Sequence, residues 1–475
     1  MTGALVGIDV GTSGVKGVAI DDRGEVLALS EAHYRLATPR PGWAEQDPED
    51  WWTAAAAVLA QLHAASGEPT AIGLSGQMHG LVALDRRDRV IRPAILWNDQ
   101  RSARECEEIE RTVGFERLIE LTGNRAFAGF TAPKLLWLRR HEPQSYERIA
   151  RIALPKDYVR LRLCGEHLTD VSDASGTLLF DVRNRRWSEE MLAALELEPA
   201  WLQPALEGPD VSGTTDSGVP VAAGGGDQAA GAVGVGADRP GPASVVLGSS
   251  GVVFAALEQF AADARGRVHA FCHAVPGAWH AMGVMLSAAA ALSWFREVAG
   301  EPPYGQLLEG AALWPAGVEG LLFLPYLAGE RTPHADADAR GAFIGLELRH
   351  DTGALARAVM EGVAFGLRDS LDLLSKLDAE ISIARVSGGG ARSGLWLRIV
   401  ASVLELPLER VAVDEGAAFG AAVLAGVAAG VWPDVQAGVE ATVRVSDTVE
   451  PVPEWVAVYS ERRERFRELY PALRR

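Results

Sequence analysis

Short, mostly apolar runs separated by glycine and polar residues open the chain. Leu5–Asp9, Val15–Asp21 and Val26–Tyr34 read as three consecutive strands. Asp47-Pro48-Glu49 then supplies a cap, a proline and an acidic first turn, and the apolar spacing from Trp51 to Ala65 continues it as a helix. Thr70–Ser75 and Leu81–Leu84 read as strands around the loop Gly76-Gln77-Met78-His79-Gly80, and Asp99–Thr112 as a helix with a charged outer face. The stretch from Leu154 to Pro220 is less regular and reads as an insertion that walls a pocket. A strand at Val219–Ala223 leads through Gly224-Gly225-Gly226 to Asp227, with an alanine-rich helix after it. Beyond Gly241, strands alternate with alanine-rich helical stretches such as Leu355–Leu377 and Gly394–Leu404. That alternation predicts an α/β fold with helices covering sheets.

Two strand–turn–strand segments share one grammar. Around Asp9 the chain runs Gly11-Thr12-Ser13-Gly14-Val15, and past its middle Gly248-Ser249-Ser250-Gly251-Val252 answers it. Each turn lets backbone N–H groups approach an anion without side chains in the way. The spacing predicts two similar domains, 1–240 and 241–475, facing one polyphosphate. Asp9 stands at the end of a strand just before the first turn, where a carboxylate can hold Mg²⁺ beside phosphates; capping of a tight turn explains the same residue. Asp227, at a strand–helix junction, is placed to accept a proton from an attacking hydroxyl, and helix capping is its plainer role. A further cluster, Gly388-Gly389-Gly390-Ala391-Arg392, follows a strand at Ala384–Val386 and offers bare backbone to an adenine or ribose. No Walker A loop, dinucleotide fingerprint or nucleophile elbow is present in the sequence.

Composition narrows the classes. With 475 residues, more than one core is expected. A net charge of −18 argues against a nucleic-acid surface. The three cysteines are scattered, and no basic stretch precedes an apolar core at the start, so a reducing, cytoplasmic setting is expected. Gly416 to Trp432 is shorter than a bilayer needs and reads as a buried helix against a close neighbour. Lysine occurs only at 16, 134, 156 and 376, so arginine is the default cation. A lysine retained in the first turn, Lys16, suits a compact charge beside phosphate.

Longer segments carry a family resemblance over essentially the whole chain. Gly129-Phe130-Thr131-Ala132-Pro133-Lys134-Leu135-Leu136-Trp137, Gly341–Leu346 with Arg357–Gly362, and Glu415–Ala422 are similar to signatures of the FGGY carbohydrate kinases. These belong to the actin, sugar kinase and Hsp70 superfamily. Pro41–Pro48, Gly76–Gly80, Trp97–Arg101 and Leu324–His334 look most like the branch acting on D-xylulose. Ala328 and Ala401-Ser402 depart from its pattern without touching the presumed chemistry.

The resemblance implies two actin-like (ribonuclease H-like) ATPase domains with an interdomain active-site cleft, and ATP-dependent phosphorylation of the 5-hydroxyl of D-xylulose. Asp227 would be the base and Asp9 the second essential carboxylate and the metal site. Gln77, Met78, His79, Trp97, Asp227 and Gln228 would face the sugar, with core packing an equal contender for Trp97. Gly11, Thr12, Ser13, Lys16, Gly248, Ser249 and Ser250 would face the phosphates, with Gly389, Gly390 and Arg392 on the nucleoside side. The expected ligands are the sugar, ATP and Mg²⁺, with no nucleic acid or membrane, and a homodimer is left open. The alternatives are a kinase for ribulose, xylitol or glycerol, or a non-catalytic ATP switch.

Overall fold

The computed structural model describes residues 3–413 and 415–474. Each glycine turn closes an antiparallel hairpin at the centre of its own sheet. In the first sheet the strands are β1 (Ala4–Val10), β2 (Gly14–Ile20), β3 (Val26–His33), β4 (Pro69–Gly76), β5 (Val211–Thr214), β6 (Pro220–Ala222) and the two-residue β7 (Gly225–Gly226). Their order is β5-β6-β4-β1-β2-β3, with β7 also paired to β4. The second sheet holds β8 (Gly241–Leu247), β9 (Gly251–Leu257), β10 (His269–Cys272), β11 (Trp279–Met285), β12 (Ile381–Ser387), β13 (Leu408–Val411) and β14 (Val445–Val449), in the order β10-β11-β9-β8-β12-β13-β14.

The two sheets repeat one topology. From β3 across to β6 the neighbours are antiparallel, antiparallel, parallel, parallel, and the same succession runs from β11 across to β13. Parallel strands need covered faces. On the first sheet α1 (Pro48–Ser66) supplies one cover, with Asp47 capping it by accepting from Glu49 N at 3.0 Å as the sequence pattern predicts. Its Trp51, Val58 and Leu62 pack with Ile8, Val10 and Val15 of the central hairpin. Elements needed below are α2 (Thr131–His141), α3 (Pro155–Cys164), the short α4 (Val171–Ser175), α5 (Asp227–Val235) and α6 (Gly416–Ala428).

Helix α6 comes from the C-terminal part of the chain, yet it lies on β1 and β4 of the first sheet and beside α5. Leu5, Ala229, Val233, Ala418, Ala422 and Leu424 share one buried cluster. The close approach explains the alanine- and glycine-rich composition, and no helix among the described residues is long and apolar enough to cross a membrane. A Cβ on Gly420 would collide with the Ala230 carbonyl, and one on Gly234 with the Gly416 carbonyl. One predicted boundary moves: the helix expected from Asp99 begins at Ala103. The reason is that the Asp99 carboxylate is spent on Ala44 N at 2.6 Å and on the Arg101 guanidinium at 2.7 Å. All three cysteines are free.

The tight α5–α6 contact sets a test. Gly420→Ala should cost about 1–3 kcal/mol by overpacking, read as a lower urea midpoint; an unchanged midpoint would mean that the helices tolerate separation.

Candidate active site

Strand register brings the two aspartates together. Asp9, near the end of β1, pairs across to Lys16 on β2 and to Ser75 on β4. The end of β4 also pairs with β7, Gly225 to Ser75 and Gly226 to Gly76, so the next residue, Asp227, emerges at the same sheet end as Asp9. Asp227 opens α5, where the helix N-terminus faces its carboxylate.

Burial dominates the electrostatics of this pair. Desolvation pushes Asp227 up to about 7, the Asp9 charge adds to the rise, and the Gln228 backbone and side chain counteract it. Asp9 is raised to about 6 by desolvation and by Glu415, with the Ser75 hydroxyl and Lys16 opposing. Asp9 Oδ1 is buried with no hydrogen-bond partner among the described residues. An orphaned carboxylate oxygen beside the first glycine turn fits a hard cation such as Mg²⁺. No group of three candidate ligands is found among the described residues, so protein would provide only part of any coordination shell.

The two turns differ in how they are held. In the first, Gly11 N donates to Gly14 O at 3.0 Å, Tyr34 Oη donates to Gly11 O at 2.5 Å, and Gln46 Nε2 donates to Thr12 O at 2.7 Å. In the second, Ala289 N donates to Gly248 O at 2.8 Å and Ala288 N to Ser249 O at 2.9 Å. The carbonyls are therefore tied back, while the N–H groups of Thr12, Ser13, Ser249 and Ser250 have no partner among the described residues. Lys16 Nζ reaches Glu415 Oε2 at 3.5 Å, which links the first turn to the start of α6. Gly389 is exposed with open space around its Cα, and Arg392 is exposed nearby. Gly390 is buried against Leu247 and Trp396 instead.

The Gly76–Gly80 loop divides its labour. Gln77 is buried, donates to Gly11 O at 3.3 Å and to Gln46 Oε1 at 3.1 Å, and accepts from Thr12 Oγ1 at 3.3 Å. Its whole amide is thus engaged in holding the first turn, a role beside the sugar-facing one expected from the sequence. Met78 is also buried, and its side chain occupies the space that a Cβ on Gly226 would need. Trp97 is not core: it is 39% exposed and donates from Nε1 to Thr12 Oγ1 at 2.9 Å.

His79 adopts a left-handed backbone (φ 69°). Its carbonyl accepts from Lys134 Nζ at 2.8 Å and from Thr131 Oγ1 at 3.1 Å, both on α2. His79 Nδ1 lies 2.6 Å from Gly176 O, so Nδ1 carries the proton and Nε2 is left as an acceptor. Burial, then the Lys134 charge, lowers the ring to about 3, which keeps it neutral. Phe130, just ahead of α2, and Phe271, from β10 of the second sheet, stand 4.6 and 6.1 Å from the ring.

Two family models match the chain: the N-terminal domain of the FGGY carbohydrate kinases over residues 4–234 and the C-terminal domain over 243–429. The chain belongs to the FGGY family of carbohydrate kinases. A curated relative, the xylulose kinase of Escherichia coli K12, is 43% identical over 98% of this chain and 99% of its own. A solved structure titled a xyloylose kinase from Brucella ovis superposes with a TM-score of 0.94 at 42% identity, covering 99% of both chains. A gluconate kinase from Lactobacillus acidophilus reaches the same TM-score of 0.94 at 26% identity, covering 100% of this chain and 98% of its own. An FGGY kinase backbone thus serves more than one named sugar substrate, and ATP is the phosphoryl donor that a kinase of this family implies.

Sequence reading missed Tyr34, Gln46 and Glu415, which brace the first turn, and the roles of Lys134 and Lys156. The lysine scarcity was the signal for the last two. Lys134 is buried and supports the His79 backbone, and its own ammonium is held well below the usual lysine range by desolvation.

The raised carboxyl groups predict a stability penalty with a definite sign. A carboxyl whose folded pKa lies above its unfolded value contributes stability below about pH 4 and loses it as pH rises through 6 to 7. Asp227→Asn should therefore melt several degrees higher than the parent at pH 8, with the gain disappearing toward pH 4. Equal melting temperatures at pH 8 would contradict the buried-pair electrostatics.

Proposed function

We propose that this kinase transfers the γ-phosphoryl group of ATP to the 5-hydroxyl of D-xylulose, giving D-xylulose 5-phosphate and ADP. The observation that carries the chemistry is Asp227, raised to about 7 and brought beside Asp9 by strand register. A base near neutrality combines a useful ionised fraction with enough basicity to take a proton. The choice of sugar rests on the relatives named xylulose kinase, including the one 43% identical over nearly all of this chain. Ribulose, xylitol and glycerol are the competing substrates, because backbone similarity alone does not select among them.

In the proposed mechanism the 5-hydroxyl oxygen bonds to the γ-phosphorus as the bond to the bridging β–γ oxygen breaks. Asp227 accepts the hydroxyl proton, and ADP departs with the electron pair of the broken bond. Gln228 steadies the Asp227 carboxylate. His79 Nε2 accepts from a sugar hydroxyl while Met78 walls the site beneath. The free amides of Thr12, Ser13, Ser249 and Ser250, with Gly11, Gly248 and Lys16, orient the phosphates and stabilise charge on their oxygens. Gly389 and Arg392 flank the nucleoside, with Gly390 buried behind them against Leu247 and Trp396. Mg²⁺, held with the help of Asp9, would supply positive charge against the β- and γ-phosphate oxygens.

The same reading assigns the base and sugar contacts to residues 1–240, and the nucleotide to residues 241–475, with the site in a cleft between them. Helix α6 we assign across that division, since it packs on the first sheet. We also read a cytoplasmic location, with three free cysteines in support.

Coupled ADP release across a panel of ketoses and polyols tests the function, and D-xylulose should give the highest kcat/KM; a polyol or another ketose in first place would replace it. Asp227→Ala should lower sugar-stimulated turnover by about 10²–10⁴-fold. In the parent enzyme kcat should rise with pH through about 7, because only ionised Asp227 accepts the proton. A flat profile between pH 6 and 8, with chemistry limiting, would remove Asp227 as the base.

A further inference from the structure

The backbone that presents Asp227 has little side-chain anchorage of its own, since Gly224, Gly225 and Gly226 precede it. Its position is fixed from outside. Gly226 N donates to Ser172 Oγ at 3.1 Å, and Ser172 Oγ in turn donates to Asp170 Oδ1. Asp170 caps α4, accepting from Ser172 N at 2.8 Å and from Asp173 N at 3.1 Å. Its other oxygen, Oδ2, lies 2.6 Å from Lys156 Nζ on α3. Lys156 also meets Asp157 Oδ1 at 2.7 Å and Asp173 Oδ2 at 3.2 Å. Arg160, one helical turn on, pairs with Asp157 at 2.5 Å and donates to Ala223 O, just ahead of the three glycines. All of these charged side chains are fully or almost fully buried.

Sterics at the two glycines agree with this arrangement. A Cβ on Gly225 would stand 3.2 Å from Ser172 Oγ, and one on Gly226 would strike Met78. The far end of α4 makes a second connection, because Gly176 O is the carbonyl that holds His79 Nδ1 at 2.6 Å. One five-residue helix is thus bonded at its start to the residue before Asp227 and at its end to His79.

We propose that Ser172 is a positioning residue for phosphoryl transfer, its hydroxyl relaying the buried Lys156–Asp170 anchor to Gly226 N–H and so setting Asp227 in register with His79. This rests on Asp227 being the base. A lysine buried among three carboxylates costs desolvation that apolar residues would avoid, and specificity of geometry is what such a network returns. A hydroxyl that both accepts and donates fixes a glycine backbone that has no side chain to lock it.

Steady-state kinetics of Ser172→Ala with D-xylulose and ATP, normalised to folded protein by circular dichroism, test this. The expected result is a fall in kcat of about tenfold, the worth of one hydrogen bond, with KM for ATP within twofold and a melting temperature within a few degrees. A kcat within twofold of the parent overturns the proposal, and so does a loss matched by an equal rise in KM for ATP. Should Ser172→Ala not fold, Ser172→Cys, which keeps only a weak donor and a weak acceptor at that place, is read against the same criteria. Asp227→Asn is measured alongside. If it retains near-normal turnover, the base fails and the positioning role falls with it; if it is inactive while Ser172→Ala is fully active, the positioning role alone is overturned.

Discussion

Two carboxylates are held close together where water is scarce, and much of the site follows from that constraint. Among the described residues no buried cation is bonded to Asp9 or Asp227, and Lys16 offsets Asp9 only in part. Desolvation therefore holds both above the usual carboxylate range, with the Asp9 charge adding to the rise at Asp227 and the Glu415 charge to that at Asp9. Such a pair is costly to fold. It persists because strand register forces it: β1 and β7 flank β4 on opposite sides and end at the same level. A cation beside Asp9 and a proton delivered to Asp227 are what this arrangement is suited to receive.

Repetition and asymmetry have separate consequences here. The repeat gives two hairpin turns with carbonyls tied back and with amides that have no partner among the described residues, which suits a polyphosphate bound from both sides. The asymmetry lies in the acids and in the neighbours. The first turn carries Asp9 and Lys16 and is braced by Tyr34, Gln46 and Gln77, whereas the second is braced by backbone donors at 288 and 289. Helix α6 adds a physical link between the halves, since it lies on the first sheet while its preceding residue, Glu415, meets Lys16.

The architecture was legible because it is written in local pattern: alternating strands, a capped helix at Asp47, and glycine turns in the same setting twice. The positions of Asp9, Asp227, Met78 and His79 were legible through motifs. What the sequence did not disclose were partnerships between residues far apart in the chain. Gln77 reads as a sugar-facing polar residue, and only the fold reveals Gly11, Thr12 and Gln46 around its amide. Trp97 reads as packing or sugar contact, yet its indole N–H goes to Thr12. Lys156 stood out by rarity and Lys134 by rarity and its place in a signature, but the His79 carbonyl that meets one and the Asp170 carboxylate that meets the other come from segments with no periodic signal. Hydrogen bonds over such separations leave no spacing in a single sequence.

The central claim is that burial and the Asp9 charge together raise Asp227. Carboxyl-¹³C NMR titration of Asp227, in the parent enzyme and in Asp9→Asn, tests it most directly. The account predicts a midpoint near 7 in the parent and a lower one once the Asp9 charge is removed. A midpoint near 4 in both proteins would contradict it.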